Sequence, residues 1–134
     1  MLLRVQHLSG KTGNIAEKMA KGLKAHIDRE EALALPLLGI LQDLANGKLK
    51  NGVAKRATIL GAQFQKEYKG MIHGHREIHK FLESLKKVGS DEGHLTAVRF
   101  AEALEKHAKE EEEVLYPAAL LAGKMASKQA RSKS

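Results

Sequence analysis

Two stretches decide how this chain is read: HIDREEALALP at residues 26–36 and HAKEEEEVLYP at residues 107–117. Each sets a histidine, two glutamates four and five residues later, and a proline ten residues after the histidine, and every matched position is 81 residues from its partner. Positions four apart on a helix point the same way. His26 with Glu30, and His107 with Glu111, therefore each present an imidazole and a carboxylate from one helical turn. A proline in register after each turn ends or kinks the helix there and lets its end close over the core.

The rest of the chain reads as helix. Ala, Leu, Lys and Glu dominate and β-branched residues are sparse. Asn14 with Glu17 three residues later makes a capping box, which starts a first long helix near Asn14 with Ile15, Met19, Leu23, Ile27, Leu33 and Leu37 inward. Asn46-Gly47 and Asn51-Gly52 mark turns. A second long helix carries Leu60, Phe64, Tyr68, Ile72, Ile78, Leu82 and Leu85, with a break expected near residue 70 where Gly61, Gly70 and Gly74 weaken it. Gly89-Ser90-Asp91 punctuates the chain before a third helix with Leu95, Val98, Leu104, Val114, Leu115 and Leu121. Residues 1–8 allow only a helical stub.

The gaps in these stripes are filled by ionisable residues: His26 and Glu30, His75 and His79, His107 and Glu111. Burying such groups without partners costs several kcal/mol each. Pairing within helices satisfies His26 with Glu30 and His107 with Glu111, but leaves His75 and His79 without a carboxylate. A metal cluster in a bundle core satisfies all six together. A lone H-x-x-x-E is common and means little; three pairs on three helices mean more. The other histidines read as ordinary: His73 faces away as a reserve ligand, and His94 is solvated. Tyr68 and Tyr116 read as core, and Glu31, Glu110, Glu112 and Glu113 as a solvated acidic face.

This pattern resembles the hemerythrin-like, HHE cation-binding family. HIDREEALALPLL and HAKEEEEVLYPAALL look like its H-x-x-x-E-E-x-x-x-x-P signature, and HREIHKFLESL at 75–85 like its H-x-x-x-H helix; the likeness covers roughly residues 14–123. It implies an all-α, antiparallel up-down four-helix bundle holding two non-haem irons, with zinc or manganese as other metals such donors accept. His75, His79 and His107 would hold one iron, His26 the other, and Glu30 and Glu111 would bridge them. Dioxygen or nitric oxide would be the ligand. The family's first helix supplies one more histidine, yet only 25 residues precede His26, and His7 is a poor match. Three explanations stay open: a second metal bound weakly or absent, a first helix completed by a partner subunit, or a chain that begins upstream. The expected organisation is a stub over 1–13, the bundle over 14–123, and a basic disordered tail over 124–134, in a homodimer.

Composition excludes other chemistry. With no Cys among 134 residues there is no disulfide, thiolate site or iron–sulfur cluster. No apolar run approaches the roughly 20 residues of a membrane span, and MLLRVQHLSG is too short for a signal peptide, so a soluble cytoplasmic protein is expected. The formal charge of +7 resides in residues 1–24 and 124–134, at +4 each, leaving −1 between them. No aromatic residue is interleaved with those bases, so no specific nucleic-acid partner is expected. SGKTG at 9–13 lacks the upstream glycine of a phosphate loop, since Val5 stands there. The leading expectation is a protein that binds or senses oxygen, nitric oxide or iron rather than an enzyme. An oxidase or peroxidase-type enzyme and a metal-free helical interaction module are the alternatives.

Overall fold

The structure is a computed structural model and describes residues 2–132; Lys133, counted in the basic tail, lies outside the described residues. It is all-helical, with no strand among the described residues. The elements are α1 (Leu2–Gln6), α2 (Gly10–Leu33), α3 (Leu35–Leu38), α4 (Leu41–Ala45), α5 (Asn51–Asp91), α6 (Leu95–Glu110), a π-helical turn (Glu111–Leu115) and α7 (Tyr116–Ser132). No helix among them is long and apolar enough to cross a membrane.

Several boundaries differ from the sequence reading, each for a physical reason. Helix α2 starts at Gly10, a turn before the capping box. Gly10 takes φ +74, a left-handed conformation that glycine tolerates. The first-turn N–H groups are capped from far along the chain: Glu92 accepts hydrogen bonds from the Lys11 N–H (3.1 Å), the Thr12 N–H (2.9 Å) and the Thr12 hydroxyl (2.5 Å). At the other end α2 stops at Leu33, and Pro36 sits in the first turn of α3, as the proline requires.

Helix α5 runs unbroken for 41 residues through Gly61, Gly70 and Gly74. A glycine costs about 1 kcal/mol against alanine in a helix interior, and burial along this helix outweighs that. Asn51-Gly52 begins α5 instead of turning, while Asn46-Gly47 does turn, with Gly47 at φ 65. Gly89-Ser90-Asp91 forms the last turn of α5; the reversal comes at Gly93, φ 77, and α6 starts at Leu95.

The chain forms two compact units, one of residues 1–26 and 71–110, the other of residues 27–70 and 111–134. In the first, Val5, Ala16, Met19, Leu23, Ile78, Leu82, Leu85, Ala97 and Ala101 make the core. The stub α1 is thus anchored by Val5. In the second, α3 and α4 pack on α7, around buried Leu37, Leu49, Ala54, Ala57, Phe64, Tyr116, Ala119, Ala122 and Ala126. Residues 124–132, expected to fray, continue α7: Ala126 is buried and the Gln129 side-chain amide donates to the Leu49 carbonyl at 2.9 Å.

The residues chosen by size for the third stripe are partly misplaced. Leu95, Val114 and Leu121 are exposed, and so is Ile27 on α2, while Ala97, Ala101, Ala119 and Ala122 are buried. Small side chains let helix backbones approach closely. The extreme case is Gly61 against Gly123, where a Cβ added to either would meet the other's Cα at 2.9 Å.

Gly123→Ala forces backbone apart and should destabilise by about 1–3 kcal/mol in urea melts. Gly22→Ala, with open space around it, should stabilise by about 0.5–1 kcal/mol; equal effects would contradict the close approach. The Thr12 hydroxyl, then the Thr12 and Lys11 N–H groups, hold the Glu92 carboxyl below its usual range. Its folded pKa is below the unfolded one, so its contribution is present above the unfolded value and lost as pH falls through the folded one. Glu92→Gln should therefore melt lower than the parent at neutral pH, with the gap closing below about pH 4.

Candidate metal centre

The buried stripes advance in alternating steps of four and three. On α2 they run Met19, Leu23, His26, Glu30, Leu33, and on α5 Met71, His75, Ile78, Leu82, Leu85. Along α6 they run Ala97, Ala101, Leu104, Ala108, Glu111. His26, His75 and Glu111 are buried on these stripes and Glu30 is half-buried.

The same geometry places His79 and His107 outside. At 100° per residue, each falls about 80° from the centre of its stripe, and Ile78 and Ala108 take the inward seats. His79 is 59% exposed and pairs with Glu83 at 3.8 Å; His107 is exposed as well. The sequence reading of His79 and His107 as inward is corrected by this register: a step of four from His75, or of three from Leu104, lands on the wrong flank.

In the first unit, His26 and His75 meet. Their Nε2 atoms face each other at 2.8 Å, with ring centroids 4.4 Å apart and planes tilted by 54°. Two protonated Nε2 atoms cannot face each other at that distance, so at least one presents a lone pair. Metal–imidazole bonds of 2.0–2.1 Å place two nitrogens at right angles on one ion about 3 Å apart. The observed 2.8 Å is the length of a hydrogen bond from one ring to the other, a little shorter than that spacing.

In the second unit, Glu30 and Glu111 offer carboxylate oxygens within 4.8 Å of each other. Glu111 is 2% exposed. The Tyr116 hydroxyl donates to Glu30 Oε2 at 2.9 Å. Burial, then the charges of Glu111 and Glu30, push the Tyr116 phenol far above its ordinary range, so it stays a donor. Its ring lies edge-on to Phe64 and Tyr68, at centroid distances of 5.7 and 6.3 Å. Glu30 follows His26 by one turn of α2.

The π-helical turn explains how Tyr116 comes to share a side with Glu111. Five residues of α-helix rotate a side chain about 140° out of line, whereas a π turn pairs i with i+5. Pro117 supplies the cause: it lacks the N–H that would bond the Glu113 carbonyl and its ring would clash there, and the wide turn over Glu111–Leu115 relieves both. The two prolines in register thus act differently, one ending a helix and the other widening it. Tyr116 is buried as the sequence reading expected, and only the π turn gives its spacing from Glu111 a meaning that an α-helical wheel misses.

The remaining candidates are peripheral. His73 is 70% exposed and near Glu77 at 3.9 Å. His7 is exposed in the turn after α1 and His94 is half-buried. His79, Glu83 and Glu105 also lie close together, but the Lys86 ammonium already bridges Glu105 at 2.7 Å and Glu83 at 2.9 Å. Those hydrogen bonds push the lysine's pKa upward and keep it charged.

This arrangement predicts a footprint. Diethylpyrocarbonate should modify His73 and His79 rapidly and His26 and His75 slowly, read by peptide mass spectrometry; equal rates at His75 and His79 would contradict the register. Compared with known proteins, the chain matches no family model, no curated protein and no solved structure.

Proposed function

We propose that this chain is a metal-binding protein with His26, Glu30, His75 and Glu111 as its candidate ligands. The observation that carries the reading is the approach of two buried imidazoles through their Nε2 atoms at 2.8 Å, on a helix whose next turn brings Glu30. Glu111, a carboxylate at 2% exposure, is costly unless paired or ligating. Two imidazoles and two carboxylates suit iron, manganese or zinc.

Iron is the choice the hemerythrin-like motifs favour, and α2, α5, α6 and α7 are the helices from which an antiparallel four-helix bundle of that kind would be built. The reading differs from the family's di-iron pattern in the number of ions. A second iron would draw on His79 and His107, which are exposed. The reading also needs no ligand from a second chain, since four helices of 16 residues or more are present among the described residues. An iron with four protein donors would supply open positions for a small ligand such as dioxygen or nitric oxide. The protein's part is to bury the ion and limit access to it, consistent with binding or sensing.

Metal analysis of the full chain, prepared and reconstituted without oxygen, tests this. About one equivalent of metal is expected, with His26→Ala and His75→Ala losing most of it and His79→Ala and His107→Ala retaining it. Less than about a tenth of an equivalent in the parent chain would overturn the reading. So would uptake that depends on His79 and His107 as strongly as on His26 and His75.

A further inference from the structure

The repeat that organises the sequence breaks at one informative position. Leu35 in the first copy corresponds to Tyr116 in the second. Leu35 is 46% exposed, whereas Tyr116 is 1% exposed and its hydroxyl reaches back to the first copy's glutamate, Glu30 Oε2, at 2.9 Å. We propose that Tyr116 is the positioning residue of the metal centre, orienting the Glu30 carboxylate as a ligand through the hydrogen bond to Oε2. This rests on the metal-binding reading above.

The phenol is held from three directions. Phe64 packs against its ring at 73° and Tyr68 at 75°. Its backbone follows directly on the π turn Glu111–Leu115 and precedes Pro117, which fixes φ there. A rigid donor on a half-buried carboxylate removes the freedom of the long glutamate side chain. Glu30 then meets a metal already oriented rather than losing rotamer entropy on binding. Such partners of a metal ligand set its orientation and basicity, and their loss costs about 10–100-fold in affinity. Tyr68 belongs to the same aromatic group but makes its contacts through its ring, so it serves as the control.

Co(II) is the probe, because its visible absorption reports the ligand field directly. The full-length parent, Tyr116→Phe, Tyr68→Phe, Glu30→Ala and the double variant Glu30→Ala/Tyr116→Phe are titrated with Co(II). Tyr116→Phe is expected to weaken Co(II) binding about tenfold and to shift the d–d bands, with Tyr68→Phe within about twofold of the parent. In the Glu30→Ala background, Tyr116→Phe is expected to change affinity less than about twofold, since the residue acts through Glu30. A merely structural tyrosine would lower the melting temperature without moving the bands. Tyr116→Phe with unchanged bands and affinity overturns the proposal, as does an equal effect with and without Glu30. Failure of the parent chain to take up Co(II) overturns the metal-binding reading itself, a result distinct from uptake that ignores Tyr116.

Discussion

Ionisable side chains buried on apolar helix stripes must be matched where they lie. Glu111 is 2% exposed, and His26 and His75 bring two Nε2 atoms to 2.8 Å. A packed interior tolerates such groups only when each is matched by a hydrogen bond, an opposite charge or a metal. The phenol of Tyr116 meets part of that demand at Glu30. The two imidazoles pair with each other through their Nε2 atoms, and imidazole and carboxylate are both donors that a metal ion would accept.

The helices are arranged around this demand through their register. Steps of four and three keep one narrow face inward on α2, α5 and α6, and the ionisable seats fall on that face. Where the face is lined by large residues, as at Met71, Ile78, Leu82 and Leu85, the seat between them holds His75. Where it is lined by alanines, as at Ala97 and Ala101, size gives no signal, and Leu95 looks inward in the sequence although it is 58% exposed.

The helical class was legible from composition, the break before Pro36 from the proline, and the inward seats of His26, Glu30, His75 and Glu111 from spacing. The separation of Ile78 from His79, and of Ala108 from His107, was not, because an i,i+4 rule accepts either neighbour and only the whole stripe decides between them. Two further features lay beyond local reading. Glu92 caps α2 from 80 residues away in sequence, and capping rules look only three residues ahead. The π turn over Glu111–Leu115 inserts a residue into the helical register, so the spacing from Glu111 to Tyr116 looks like a miss on an α-helical wheel. The basic end looked frayed because it lacks large apolar residues, yet Ala126 and the Gln129 amide tie it down.

His26 and His75 bring two buried imidazoles together, and their ligation of a metal ion is directly measurable. X-ray absorption at the metal edge of the iron-loaded chain counts imidazole neighbours and detects a second metal. About two imidazoles per iron are expected, at metal–nitrogen distances of roughly 2.0–2.2 Å, with oxygen filling the remaining positions and no metal–metal scattering. A clear iron–iron vector, or a first shell without imidazole, would contradict this expectation.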